Sequence, residues 1–169
     1  MSLKNLLTKK KTAILGKWLN LILDTYPADG AKAFKRNTDR FTNPVGYTIS
    51  KEIDTLYEEL IHDMDCNKLH ASIDNIVRIR AVQDYSPSQA TAFVFLLKKA
   101  IRDEVKAEIR EDRLFNEYME FESRIDELAL LTFDIHMMCR EKIYELKVNE
   151  IRNEKGMLVK LLERSNGTQ

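Results

Sequence analysis

Arg80 and Asp84 are charged residues that the sequence places within an apolar helix face. On a helical wheel at about 100° per residue, both lie within about 60° of Ile73, as do Leu69, Ile76 and Val77. Residues four positions apart meet on one face of a helix, so the two charges can pair. Because an unpaired buried charge is strongly destabilising, we expect this pairing if the face is buried.

Two interpretations of Arg80 and Asp84 remain open at this stage. In the first, they form an internal ion pair that fixes the helix against its neighbours. In the second, they form a polar site inside a pocket that accepts an anionic ligand. Arg78 points away from both, towards Val82 and Tyr85 on the same wheel.

The three histidines suggest metal or haem chemistry only weakly. His62, Cys66 and His70 have the spacing of one helix face, but "HDMDCNKLH" contains a predicted helix break and no second ligand motif supports a metal site. His136 is a conceivable haem ligand. A histidine packed beside the core, or exposed on the far face, is the competing interpretation. We therefore predict no metal and no cofactor.

The remaining reactive residues form no catalytic set. The sequence lacks an informative Ser/His/Asp or Cys/His spacing, a glycine-rich phosphate loop and a paired-carboxylate signature. Cys66 and Cys139 show no CxxC spacing, which indicates two free thiols in a reduced, cytoplasmic protein. We therefore predict that the protein is not an enzyme.

Composition narrows the class of protein further. The chain has 169 residues, 44% of them hydrophobic, with 5 Gly and 3 Pro, which favours one domain built from a few long elements. Lys plus Arg and Asp plus Glu each number 27, so the zero net charge argues against a nucleic-acid partner. No apolar run is long enough to span a membrane. The basic and then apolar N-terminus is interpreted as an amphipathic helix rather than a signal peptide.

Apolar periodicity and capping signals predict an all-α fold, a single domain of five to six helices with a long C-terminal helix. Helices are expected from about Leu3 to Tyr26, from Pro44 to near Asp63 with Asn43 as N-cap, and from roughly Lys68 to Asp84. "SPSQ" predicts a capping box with Ser86 as N-cap. The first half of the helix that follows is expected to be buried nearly all round, Phe95 included.

The last third of the chain predicts one very long helix. From about Asp112 to Glu163 there is no proline, and such a helix would be roughly 75 Å long, more than twice the ~30 Å width of a domain of this size. Either it breaks and folds back as an ordinary amphipathic helix, or it projects. An a/d-type seam runs along its end through Tyr144, Val148, Ile151, Leu158 and Leu162, with Lys155 as a polar position. We predict a homodimer to which this seam contributes, and a division into a helical domain, residues 1–140, and an extension, residues 141–169.

Several sequence blocks together resemble a known family. The blocks "YPAD", "RF-NPVGYT", "IVRIRAVQD" and "SPSQA-AFVFLLK" occur in order between roughly Leu15 and Glu104. They resemble the N-terminal domain family of RsbT co-antagonists, also called the RsbRD N-terminal domain. The resemblance implies a bacterial stress-signalling module of the stressosome type. It also implies a haem-free, globin-like domain that dimerises and feeds a long helix into an output domain.

The resemblance transfers neither a catalytic nor a ligand residue to this sequence. The family is best known ahead of a STAS domain that helps to sequester a switch kinase, whereas this sequence ends at Gln169 without one. We therefore expect a stand-alone, non-enzymatic regulatory module that acts on an unidentified regulatory protein. The alternative is a sensor that binds a small molecule or haem.

Overall fold

Five helices are defined in the computed structural model, which describes residues 2–27, 30–31, 39–62, 64–81, 83, 85–109 and 112–166. They are α1 (Leu3–Leu23), α2 (Pro44–Ile61), α3 (Cys66–Ala81), α4 (Pro87–Val105) and α5 (Asp112–Asn166). No strand occurs within the described residues. The predicted all-α fold with a long C-terminal helix is confirmed.

The helices begin where short polar side chains satisfy their first backbone amides. The side chain of Asn43 accepts a hydrogen bond from the Gly46 amide at 2.9 Å and caps α2, with Pro44 in the first turn. Ser86 and Gln89 form the predicted capping box of α4, and both of its hydrogen bonds are present. These two N-caps are therefore confirmed.

Helix α5 is the element against which α3 and α4 are arranged. Arg102 and Lys98 of α4 pair with Glu122 and Asp126 of α5, at 3.1 and 2.7 Å, so these two helices run antiparallel. Near the end of α3, Cys139 of α5 donates to Asp74 at 3.6 Å. Helix α1 packs on the other side of α4 and also contacts α2.

The core lies between α1, α2, α3 and α4 and the first half of α5. It is built around large side chains without exposed surface, which include Trp18, Ile53, Leu56, Tyr57, Ile73, Phe93 and Ile125. Two buried hydrogen bonds tie α1 to its neighbours: Trp18 Nε1 donates to the carbonyl oxygen of Phe93 at 2.7 Å, and the Tyr57 hydroxyl donates to that of Leu7 at 3.1 Å. These two polar side chains of the core are therefore paired with backbone acceptors from other helices.

One expectation about burial was wrong. Phe95 was predicted to be covered because the first half of α4 is apolar on most sides, but its side chain is 48% exposed. The face of α4 that carries Phe95 is not covered by another of the described helices.

Helix α5 does not break. Its 55 residues form one continuous helix, roughly 82 Å long at 1.5 Å per residue. Its side chains are buried at intervals as far as His136, and from Tyr144 to Glu163 every side chain is exposed. The interpretation in which this segment folds back onto the domain is therefore wrong, and the helix projects by roughly 40 Å. None of the described helices is apolar over a stretch long enough to cross a membrane.

A candidate ligand site and an exposed helix

Arg80 is a fully buried arginine at the end of α3. This helix turns Leu69, Ile73, Ile76 and Val77 towards the core, and Arg80 continues the same face with no exposed surface. It is among the largest side chains in the protein without solvent contact. A cation in this position requires specific partners.

The partners of Arg80 come from three separate parts of the chain. Nη1 donates to the carbonyl oxygen of Gln89 at 3.1 Å, and Nη2 donates to the Thr25 hydroxyl at 3.1 Å. The guanidinium carbon lies 5.0 Å from the ring centroid of Tyr85 and 5.5 Å from those of Tyr26 and Phe93. The Arg80 cage denotes these five residues: Thr25, Tyr26, Tyr85, Gln89 and Phe93. It combines two neutral acceptors with three aromatic faces, which attract a cation.

Among the described residues, the hydrogen-bond partners of Arg80 are neutral groups. Burial lowers the pKa of the Arg80 guanidinium, while Tyr26 and Tyr85 oppose that effect, and an arginine stays protonated in either case. Among the described residues, no carboxylate forms a hydrogen bond or an ion pair with Arg80, and its Nε has no hydrogen-bond partner. Arg80 is also in the last turn of α3, where the helix dipole favours a cation.

Asp84, the predicted partner of Arg80, lies outside the described residues. The ion pair between them therefore stays a prediction. Arg78 is exposed and pairs with Asp74 at 2.7 Å, one helical turn earlier. Of the two arginines in this turn, one therefore faces solvent and the other the core.

A cavity of about 840 Å³ opens beside the Arg80 cage. Four cage residues, Thr25, Tyr26, Tyr85 and Gln89, form part of its wall, together with Pro27, Gly30 and Gln83. The rings of Tyr26 and Tyr85 meet edge to face, with their centroids 5.8 Å apart. Arg80 therefore lies directly behind an aromatic wall that faces solvent.

The Arg80 cage is connected to the point where α5 leaves the domain. Arg140 of α5 donates from Nη1 to the carbonyl oxygen of Tyr85 at 3.0 Å, and from Nη2 to the Tyr144 hydroxyl at 2.5 Å. Tyr144 is the first residue of the predicted seam. Two side chains therefore link the cavity wall to the start of the projecting helix.

The seam residues, Tyr144, Val148, Ile151, Leu158 and Leu162, are all exposed. They lie on one side of α5, roughly 100° around the helix from the face that packs on the core. A second row on the projecting part, Leu146, Met157 and Leu161, is exposed as well, and lies roughly 130° from the seam. Exposed apolar surface of this extent is typical of an interaction site.

The seam also continues along the half of α5 that packs on the domain, which sequence reasoning missed. Phe115, Met119, Leu130 and Phe133 are exposed and lie within about 40° of the seam direction. The signal was a set of apolar residues on one helix face, spaced by 4, 11 and 3 positions. It was obscured because the core-facing stripe of the same helix has the same period.

His136 is another buried polar residue, on α5. Its side chain has no exposed surface, and neither ring nitrogen has a hydrogen-bond partner among the described residues. Burial lowers the pKa of the imidazole, and the charge of Arg140 adds to this effect. Within the part of the chain that the structure describes, no three His, Cys, Asp or Glu side chains come together as a metal site would require. Both Cys66 and Cys139 are free thiols, as predicted.

The chain matches one family over most of its length. Residues 12–150 fit the sequence profile described as the RsbT co-antagonist protein rsbRD N-terminal domain. A curated relative, an uncharacterized protein of Archaeoglobus fulgidus, is 29% identical over 96 residues, which are 56% of this chain and 60% of the relative. No solved structure matches the chain.

Proposed function

We propose that this chain, which belongs to the rsbRD N-terminal domain family, is a non-enzymatic signalling module that forms a homodimer and passes a signal to a regulatory protein through α5. The observation that carries the proposal is the exposed apolar surface of α5, which extends from the domain along the whole projecting helix. Family membership supports a regulatory role of the stressosome type. In this proposal, residues 1–140 receive the signal and residues 141–169 deliver it.

Energetics favour a partner along the seam. Burying a large apolar side chain contributes about 1.5–3 kcal/mol. Five such side chains between Tyr144 and Leu162 therefore offer several times the energy of one contact, less the cost of association. A second copy of the chain supplies the same stripe by two-fold symmetry, which makes it the simplest partner.

The second row on the projecting helix supports a further partner. Two helices that pack along the seam leave Leu146, Met157 and Leu161 on another side of the pair. Because this row lies roughly 130° from the seam, it faces away from the partner helix and stays open to another protein. We assign this row to the regulatory protein on which the module acts.

The test of the homodimer is the molar mass of the full chain by light scattering, with two matched variants. Ile151→Glu combined with Leu158→Glu places charges in the seam, at side chains that are 52% and 60% exposed. Leu146→Glu combined with Met157→Glu is the control, at side chains that are 62% and 65% exposed in the second row. We expect a dimer for the natural chain and the control, and a monomer for the seam variant.

A chain that ends near Arg140 separates the two parts of the interface. A natural full-length chain that is monomeric at tens of micromolar would refute the homodimer. If the shortened chain remains fully dimeric, the interface lies on the domain, around Phe115, Leu130 and Phe133. In that case the seam would be left for another protein.

The second candidate function is a small-molecule sensor, which the cavity beside Arg80 favours. The haem version of this alternative has less support. The only candidate ligand that the sequence offered, His136, has no exposed surface through which an iron atom could approach.

A further inference from the structure

The cavity beside the Arg80 cage has the features of a site for a small organic molecule. Its wall includes two tyrosines, Tyr26 and Tyr85, and two residues with amide side chains, Gln83 and Gln89. Ligand sites typically combine apolar and aromatic walls with a few polar groups that fix orientation. The rings favour a flat, apolar ligand body, because they offer both faces and edges for stacking.

The charge behind this wall selects the polar end of the ligand. Arg80 is the fully buried cation of the site, and its two Nη atoms already donate to neutral oxygen atoms. Its Nε–H has no acceptor among the described residues. A guanidinium is the side chain best suited to a planar carboxylate, and a bond between the two is charge-assisted.

We propose that this cavity binds a small aromatic carboxylate, with its ring against Tyr26 and Tyr85 and its carboxylate directed to Arg80. The inference deepens the proposed function, because it gives the signalling module its input. It differs from a purely structural role for Arg80 in that an added anion accepts from the Nε–H, for which the described residues supply no acceptor.

Access to Arg80 requires one tyrosine to move. Tyr85 lies between the cavity and the Arg80 guanidinium, which its ring covers. Its hydroxyl donates to the carbonyl oxygen of Thr25 at 3.3 Å. A single long hydrogen bond and one edge-to-face ring contact are weak beside a charge-assisted hydrogen bond. The backbone carbonyl of the same residue accepts the hydrogen bond from Arg140, so a ligand that also shifts the Tyr85 backbone would alter a contact of α5.

The experiment is calorimetric titration of the full chain with benzoate, and with benzamide as the neutral analogue of the same shape. We expect benzoate to bind saturably, one molecule per chain, and to raise the melting temperature. Benzamide should bind roughly tenfold more weakly or worse, because it lacks the charge that Arg80 recognises. Equal binding of the two compounds, or no saturable binding of benzoate, would overturn the inference.

Three variants locate the site. Arg80→Gln should abolish the preference for benzoate, while Arg78→Gln removes an exposed cation from the same turn and should leave the preference intact. Because Arg80→Gln could unfold the protein, we include a third variant, Gln83→Glu, which adds a negative charge at an exposed residue of the cavity wall. This change should weaken the binding of benzoate by about threefold or more and leave the binding of benzamide unchanged. The site would be contradicted if Arg78→Gln and Arg80→Gln reduced the preference for benzoate equally. It would also be contradicted if Gln83→Glu left benzoate binding unchanged.

Light scattering on the same samples separates this inference from the proposed function. A dimer that does not bind benzoate overturns the ligand site and leaves the signalling module standing. A monomer that binds benzoate with the expected preference supports the ligand site and overturns the homodimer.

Discussion

Arg140 and Tyr85 are joined by a hydrogen bond of 3.0 Å, from Nη1 of the arginine to the carbonyl oxygen of the tyrosine. The arginine lies where α5 begins to leave the domain, and the tyrosine precedes the N-cap of α4. The Tyr85 ring also covers Arg80 at 5.0 Å. One residue therefore contacts both the buried cation and the projecting helix.

Arg140→Ala should destabilise the protein by about 1–2 kcal/mol, because a charged donor to a partly buried carbonyl is lost. The free energy of unfolding in urea measures this. Lys142→Ala, an exposed cation two residues later, is the control and should change stability by less than about 0.5 kcal/mol. Equal effects of the two changes would show that the bond to Tyr85 contributes nothing.

Arg80→Ala should cost about 3 kcal/mol, because it empties the cage and leaves Thr25 and Gln89 without their donor. Arg78→Ala, which removes an exposed ion pair, should cost under about 1 kcal/mol. The free energy of unfolding in urea measures the loss of stability in both variants. An Arg80 variant within about 0.5 kcal/mol of the natural protein would refute the importance of the cage.

The pair of Arg80 and Asp84 remains a separate prediction. Asp84→Ala alone should also destabilise by about 3 kcal/mol, with strong coupling to Arg80→Ala in a double-mutant cycle. Additive effects of the two changes would mean that the five cage residues, without Asp84, hold the cation.

Acid should weaken the fold through His136. Its pKa is lowered in the folded state by burial, so the unfolded chain binds the additional proton. The stability tied to neutral His136 is therefore complete above the ordinary histidine pKa of about 6.5, and is lost as the pH falls below it, by up to about 1.4 kcal/mol per pH unit.

His136→Leu tests this relation. It removes two unpaired buried nitrogen atoms, so it should raise stability at pH 7, and the gain should grow as the pH falls towards 5. His70→Leu removes an exposed imidazole from α3 as the control. Urea unfolding at several pH values gives the difference. A gain for His136→Leu that stays constant with pH would contradict the buried, neutral imidazole.

Two glycines of the helices should respond in opposite directions to alanine. A Cβ on Gly46 would lie 2.9 Å from Cγ of Asn43, so Gly46→Ala should disturb the N-cap of α2 and cost about 0.5–2 kcal/mol. A Cβ on Gly16 would meet nothing within 4 Å, so Gly16→Ala should stabilise α1 by about 0.5–1 kcal/mol. Thermal unfolding measures both, and a Gly46→Ala variant that is as stable as the natural protein would show that the cap adapts.

The helices were predictable because their signals are local. Asn43 with Pro44, and Ser86 with Gln89, each determine a helix start within four residues. The placement of Arg80 on the apolar face of its helix follows from a local period in the same way. Its cage does not, since Thr25 lies 55 residues away and only the packing of α1 on α4 brings it near.

Phe95 shows the converse limit of sequence reasoning. An apolar residue on an apolar helix is expected to be buried, but the sequence does not say whether its cover comes from the same chain. Phe95 was predicted to be a core residue because its chemistry is that of a core, whereas the end of α5 was predicted to be an exposed seam. The structure leaves both open, and the proposed homodimer would cover the exposed face of α5.

Because α5 is one unbroken helix, a small tilt where it leaves the domain displaces its far end by a larger distance. Roughly 40 Å of helix extends past the contact of Arg140 with Tyr85, so a tilt of about 5° at that contact would move the last turn by roughly 3.5 Å. This displacement is two thirds of the helical pitch of about 5.4 Å, and large enough to shift one row of side chains against a partner. A shift of the Tyr85 backbone carbonyl that tilted α5 would thus be magnified at the far end without any helix having to unfold.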